Sequence, residues 1–102
     1  MFEKLSFIEK QHEELAAKIS DPEVMQDMDN WRKLCKEHAD MTPIVEKYKE
    51  YKANKNTIED AEMMLDDPET DKEFKEMLNE EIKEAKANIE RIEEELKILL
   101  LP

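Results

Sequence analysis

Apolar residues between positions 78 and 99 alternate strictly by steps of four and three, and this spacing constrains the fold more than any other feature. The positions are Leu78, Ile82, Ala85, Ile89, Ile92, Leu96 and Leu99. Such steps place all of these side chains on one stripe of an α-helix, and three heptads of the pattern form a coiled-coil seam. A helix with one apolar stripe buries that stripe against another helix, so the spacing predicts an all-α fold.

Two earlier stretches carry the same kind of helical spacing. The members of the first are Leu5, Ile8, His12, Leu15 and Ile19. They predict a first helix over about residues 2–20. In the interruption that follows, Asp21 is suited to cap a short helical turn and Pro22 to open it.

The second stretch predicts a long helix over about residues 28–66. Its apolar positions are Trp31, Leu34, Met41 and Tyr48, together with Ile44, Tyr51, Ile58 and Leu65. Pro43 lies inside this stretch, where it removes one helical hydrogen bond and crowds the preceding turn. Because the spacing keeps its phase across the proline, we expect one kinked helix, roughly 55–60 Å long, rather than two helices.

The third helix is predicted over about residues 70–100. It begins with a capping box in which Thr70 is the N-cap and Glu73 reaches back to it. Two long helices joined by a short turn lie antiparallel. We therefore predict an elongated three-helix bundle, in which a long antiparallel hairpin (about 28–66 and 70–100) carries the shorter first helix (about 2–20). Residues 1–102 are expected to form a single helical domain.

The composition excludes several classes of function. With 28 acidic residues against 16 lysines and arginines, the net charge is −12 when the histidines are neutral. This charge disfavours binding to a nucleic-acid backbone or to an anionic membrane. The absence of glycine removes the phosphate loop, the dinucleotide fingerprint and the nucleophile elbow. With one cysteine and no signal peptide or membrane span, a reducing cytoplasm is the expected compartment.

Two pairs of residues are candidates for chemistry, and each has a simpler structural explanation. Glu9 and His12 match the Glu-x-x-His motif of di-iron bundles, but Cys35 rather than a glutamate precedes His38 by three residues, so the required second copy is missing. A Cys35–His38 dyad is geometrically possible, yet nothing in the sequence supplies an oxyanion hole or a cleft. A free cysteine that behaves as a small buried hydrophobe is the more common case.

The remaining carboxylates and aromatics also favour structural roles. Consecutive residues Glu93–Glu95 fan around a helix as a solvated face, whereas acid–base catalysis needs carboxylates in unequal, partly buried environments. Trp31, Tyr48 and Tyr51 are expected to fill the bundle seam rather than to form an exposed platform. We therefore assign no catalytic, cofactor-binding or metal-binding residue and no cofactor. The residues alone indicate an acidic helical scaffold or binding module and not an enzyme.

Several segments resemble, in the same order, the amino-terminal domain of one protein family. They are Met1–Leu5, Ser20–Val24, Lys36–His38, Ala61–Glu69, Lys83–Lys86 and Leu99–Pro102. Together they resemble the amino-terminal domain of the bacterial peptide chain release factor 1 family, which belongs to the class I release factors, over the whole chain. The final Leu-Leu-Leu-Pro is more similar to that family than to its sister, release factor 2. The resemblance implies that the chain is a piece of a larger protein.

The resemblance implies a part in translation termination. Full-length members recognise UAA and UAG stop codons on the ribosome and trigger peptidyl-tRNA hydrolysis through a Gly-Gly-Gln loop, which a sequence without glycine does not contain. Residues Pro68–Thr70 fit the family's codon-reading Pro-x-Thr pattern, but in the family that tripeptide lies in a later domain. The implied role of this chain is a helical arm directed at the GTPase-associated region of the large ribosomal subunit. The arm is also linked to the action of the GTPase release factor.

One rival interpretation stays open from the residues alone. A free-standing acidic coiled-coil adaptor or chaperone-like hairpin would self-associate through the third helix, whereas a release-factor arm is expected to be a monomer or a weak, truncation-induced dimer. The end of the chain bears on this choice because Leu100 and Leu101 point off the seam. We expect them to pack at a junction with further chain and not in this chain's own core, with Pro102 ending the helix.

Overall fold

The fold consists of helices and the turns that join them. The structure, a computed structural model, describes all of residues 1–102. Its elements are α1 (Phe2–Ile19), α2 (Pro22–Met25), α3 (Met28–Leu65) and α4 (Lys72–Leu99). The predicted all-α class is confirmed, and each long helix begins and ends within two residues of its predicted bounds. None of the four helices combines the length and apolar character needed to cross a lipid bilayer.

The chain divides into two compact units, residues 1–46 and residues 47–102, called here the amino-terminal and carboxy-terminal units. In the amino-terminal unit, the indole N–H of Trp31 donates to the carbonyl of Ile19 at 3.0 Å, and His12 meets Thr42 at 2.9 Å. His12 precedes Ile19 in α1, whereas its partner Thr42 follows Trp31 in α3. Helix α1 therefore runs antiparallel to the first part of α3.

The turn between α1 and α3 follows the capping chemistry that the sequence predicts. The carboxylate of Asp21 accepts a hydrogen bond from the backbone N–H of Glu23 at 3.0 Å, and Pro22 occupies the first position of α2. A proline is favoured there because its missing N–H has no partner in a first helical turn. The α1 stripe is buried at Leu5, which is 1% exposed, and at Leu15.

Helix α3 continues through Pro43 without a break, as the phase of the apolar spacing predicts. The proline has no N–H to donate, so the carbonyl four residues earlier loses its usual helical partner. One lost hydrogen bond does not end a helix that is held by buried apolar side chains just beyond the proline, at Val45 and Tyr48.

The start of α4 corrects the predicted capping box. The N-cap is Asp71 and not Thr70, since the Asp71 carboxylate accepts from the backbone N–H of Phe74 at 2.8 Å. The Thr70 hydroxyl instead donates to the carbonyl of Met64 at 2.7 Å. Thr70 thus ties the turn back to the end of α3, and the capping role passes to the next residue, which is equally suited to it.

The carboxy-terminal unit contains a hairpin made by the second half of α3 and by α4. Three side-chain contacts fix its register: Asn88 to Asn54 at 3.2 Å, Arg91 to Glu50 at 3.2 Å, and Lys47 to Glu95 at 2.6 Å. Higher numbers on α4 meet lower numbers on α3, so the two helices are antiparallel as predicted. The buried positions of the α4 seam are Leu78, Ala85, Ile89, Ile92 and Leu96.

Candidate functional surfaces

Two histidines and a threonine form a polar cluster in the amino-terminal unit. The rings of His12 and His38 stack with centroids 3.9 Å apart and planes 17° apart. The Thr42 hydroxyl donates to the carbonyl of His38 at 2.9 Å, and the same oxygen lies 2.9 Å from Nε2 of His12. Because the hydroxyl hydrogen is directed at the carbonyl, Nε2 of His12 is placed to donate its hydrogen to the Thr42 oxygen.

This cluster gives the histidines a packing role. His12 of the Glu-x-x-His motif and His38 of the candidate Cys–His dyad stack on each other. No group of three or more His, Cys, Asp or Glu side chains is arranged to hold a metal ion. Cys35 is a free, half-buried thiol.

The three large aromatics pack in or beside the core. Tyr48 is 8% exposed, and its ring is stacked with that of Tyr51 at a centroid distance of 6.3 Å. The ammonium of Lys52 lies 4.6 Å from the centroid of Tyr48, within the range of a cation–π interaction. Trp31 is half-buried, with its N–H bound to Ile19. Core packing, as predicted, accounts for these side chains.

Four charged side chains form an ion-pair network across the hairpin. Glu95 Oε2 lies 2.6 Å from the ammonium of Lys47, and Glu95 Oε1 lies 3.1 Å from Arg91. Glu50 completes the network, at 3.3 Å from Lys47 and 3.2 Å from Arg91. The glutamate run thus contributes one half-buried member, Glu95, to a structural network.

The network shifts the pKa of three of its members. The hydrogen bond from Lys47, followed by that from Arg91, holds the pKa of the Glu95 carboxyl below its ordinary value. The pKa of Lys47 is raised, chiefly by its hydrogen bond to Glu95, and that of Arg91 by its hydrogen bonds to Glu50 and Glu95. Each of these three shifts favours the charged form of its group.

The turn between α3 and α4 holds the tripeptide that matches Pro-x-Thr. The backbone N–H of Glu69 donates to the Asp67 carboxylate at 3.0 Å, and the Thr70 hydroxyl donates to Met64. Both of these polar groups are used to close the turn, which supports a structural explanation of the match.

The first three turns of α4 carry, on one face of this single helix, an open and shallow depression that sequence reasoning missed. Its lining consists of Glu73, Phe74, Glu76, Met77, Leu78, Glu80, Glu81 and Glu84. Phe74 is 42% exposed and Met77 is 66% exposed, while the neighbouring Leu78 is buried. We call this feature the α4 groove. The signal in the sequence was that Phe74 and Met77 are apolar residues that precede the seam.

The carboxy-terminal residues are only partly packed. Leu100 is half-buried and its backbone N–H caps α4 by donating to the carbonyl of Leu96 at 3.0 Å. Leu101 is 69% exposed and Ile98 is 67% exposed. The prediction that Leu101 stays outside the chain's own core is confirmed, whereas Leu100 is partly covered.

Comparison with known proteins gives a consistent set of matches. The model of the PCRF domain family matches residues 8–102. The chain is 56% identical over its whole length to peptide chain release factor 1 of Clostridium novyi, 50% identical to that of Clostridium tetani and 49% identical to that of Alkaliphilus oremlandii. The chain spans only 28–29% of the length of these relatives. No solved structure matches significantly.

Proposed function

The chain belongs to the PCRF domain family, and from this premise we propose that it is the amino-terminal helical arm of a class I release factor that acts in translation termination. The observation that carries the proposal is the family match over residues 8–102, together with 56% identity to a release factor 1 of which the chain spans 28%. Residues 1–102 then form one helical domain of a longer cytoplasmic protein.

The arm acts by binding and positioning, while other domains of the full factor recognise UAA and UAG and promote ester hydrolysis. The Gly-Gly-Gln loop of the family needs glycine, and this chain has none. The partners of the arm are the GTPase-associated region of the large ribosomal subunit and the GTPase release factor. Its long helices and solvated acidic faces suit such a role, because a stiff helix sets a distance between the parts that it joins.

The rival interpretation as a self-associating adaptor has less support. It requires the seam of α4 to be available to a second copy, but Leu78, Ile92 and Leu96 are each no more than 3% exposed within the single chain. The net charge of −12 also opposes association of two copies. Light scattering at several concentrations separates the two proposals: an arm stays monomeric or forms weak dimers, whereas an adaptor forms a stable oligomer.

A deletion in the full-length factor tests the proposal. We expect a factor that lacks residues 1–102 to retain stop-codon-dependent peptide release, because recognition and hydrolysis belong to other domains. We expect its turnover with the GTPase release factor to fall about tenfold or more, equivalent to about 1.4 kcal/mol. The matched control is the isolated 102-residue chain, which should release no peptide from stop-codon complexes. Unchanged turnover after deletion, or release by the isolated chain, would contradict the proposal.

A further inference from the structure

We propose that the α4 groove is a docking site for a basic amphipathic helix of a partner protein. This inference goes beyond the role proposed for the family and does not depend on it, since it rests only on the chemistry of one helix face. The groove is defined by the side chains of residues 73–84 named above.

The groove offers apolar surface that the fold leaves uncovered. Phe74 and Met77 lie three residues apart, so they are neighbours on one face of α4, and both are exposed, Met77 more than Phe74. Leu78 is 3% exposed and forms the base beside them. A methionine and a phenylalanine that line one groove are suited to receive apolar anchors, because the flexible thioether adapts to the shape of a partner.

The charge around the groove selects the partner. Five glutamates line it, at positions 73, 76, 80, 81 and 84, and no lysine or arginine does. A second groove on the hairpin, lined by Lys55, Ile58, Glu59, Glu62, Lys86, Ile89 and Glu90, has both signs of charge. The single sign at the α4 groove therefore favours a cationic partner and disfavours nucleic acid or a second copy of this acidic chain.

The length of the groove indicates a helical partner. Residues 73–84 extend about 17 Å along α4, or roughly three turns. An amphipathic helix presents anchors at i, i+3 or i+4 and i+7 over a similar length, with basic residues flanking its apolar stripe. Lysine and arginine at those flanks meet the glutamates while the stripe meets Phe74 and Met77.

Titration with a defined peptide tests the inference. The probe is an 18-residue helix of leucine and lysine with leucine on one face, and the control peptide has the same composition in an order without helical periodicity. We expect the 102-residue chain to bind the amphipathic peptide about tenfold or more tightly than the control peptide. Affinity should fall as NaCl rises from about 50 mM to about 300 mM, because salt screens the glutamates.

Substitutions then assign the binding to the groove. We expect the double variant F74S/M77S to weaken peptide binding about tenfold, and M63S, whose methionine is 72% exposed and lies outside the groove, to leave it within twofold. The variant E80K/E84K should weaken binding more than E13K/E46K, which changes the net charge equally elsewhere on the surface. Circular dichroism checks that each variant stays helical. Equal binding of the two peptides, or equal loss in the groove variants and their controls, would overturn the proposal.

Discussion

The amino-terminal unit joins its helices through two histidines, a threonine and a tryptophan, and the carboxy-terminal unit adds ion pairs to an apolar seam. In the first unit, the specific contacts are the stacked rings of His12 and His38, the hydroxyl of Thr42 and the indole of Trp31. In the second, Lys47, Glu50, Arg91 and Glu95 bridge the hairpin.

The two units are therefore expected to respond differently to salt and to extremes of pH. A regular seam requires only apolar residues at fixed steps, and charges beside it select the register of the pairing. Helix α1 has only two buried side chains, Leu5 and Leu15, so individual polar contacts make up a larger share of its attachment.

The largest effect is expected in the seam. Leu96 is 0% exposed, so Leu96→Ala leaves a cavity and should lower the free energy of unfolding by about 2–5 kcal/mol. Leu5→Ala in the amino-terminal unit, at 1% exposure, should cost a similar amount. Urea unfolding followed by circular dichroism measures both. The control is Ile98→Ala at 67% exposure, for which we expect a change within about 0.5 kcal/mol; a loss as large as that of Leu96→Ala would refute the proposed boundary of the core.

Removal of a helix cap should lower the free energy of unfolding by a smaller amount, which differs between the two capped helices. Asp71→Ala removes the cap of a 28-residue helix and should lower the free energy of unfolding by about 1 kcal/mol. Asp21→Ala should cost less, because α2 has only four residues to lose. Thermal unfolding of the two variants and of Thr70→Ala ranks the three side chains. A larger loss of stability for Thr70→Ala than for Asp71→Ala would instead favour the capping box that the sequence predicts.

A single substitution removes the central hydroxyl of the polar cluster in the amino-terminal unit. Thr42→Val keeps the shape of the side chain but removes the hydroxyl between His12 and His38, so we expect a loss of about 1 kcal/mol. Thr57→Val is the matched control, because the Thr57 hydroxyl also donates to the carbonyl four residues earlier, at 3.1 Å, but on an exposed face. Equal losses of stability in urea unfolding would show that the half-buried cluster contributes no more than the hydrogen bond of Thr57 does.

The smallest change in the free energy of unfolding is expected from the ion-pair network, and this change should depend on pH. The pKa of Glu95 is lowered from 4.5 on folding, so its contribution is present above about pH 4.5 and is lost as pH falls through the lowered pKa. The pKa of Lys47 is raised from 10.5, so its contribution is lost only as pH rises through the raised value. The stability difference between the native chain and Glu95→Gln should therefore be constant from about pH 5 to pH 10 and vanish in stronger acid.

Glu94→Gln provides the matched control for that measurement. Glu94 is the neighbouring residue and has a single ion pair, with Lys97 at 3.2 Å, on side chains 72% and 61% exposed. Exposed pairs contribute little, so this variant should follow the native chain at every pH. Added NaCl should reduce the Glu95→Gln difference and leave the Thr42→Val difference unchanged, which separates the two units by mechanism.

The parts of the fold that depend on local spacing were predictable from the sequence. The seam of α4 and the continuity of α3 through Pro43 follow from apolar steps that a helix must align on one side. The cap of α4 was misplaced by one residue because Thr70 and Asp71 are both suited to capping, and the hydroxyl bond to Met64 depends on the shape of the turn.

Contacts between distant residues were not predictable. The stacking of His12 on His38 depends on the register of α1 against α3, and the pairing of Lys47 with Glu95 depends on the register of the hairpin. Apolar spacing limits each register to steps of a helical turn but does not select one. The α4 groove was missed for a different reason. Phe74 and Met77 lie outside the repeating steps, so a search for periodic apolar residues does not detect them.

Directed hydroxyl-radical probing is the most direct test of the claim that this chain is a binding arm. In a full-length factor whose native cysteines, Cys35 among them, are replaced by serine, a single cysteine introduced at the exposed position Met63 or Glu13 carries a tethered iron chelate that generates hydroxyl radicals. On ribosomes stalled at a stop codon, the account predicts cleavage of large-subunit ribosomal RNA within the GTPase-associated region from at least one of these positions. Cleavage confined to other regions of the ribosome from both positions would contradict it.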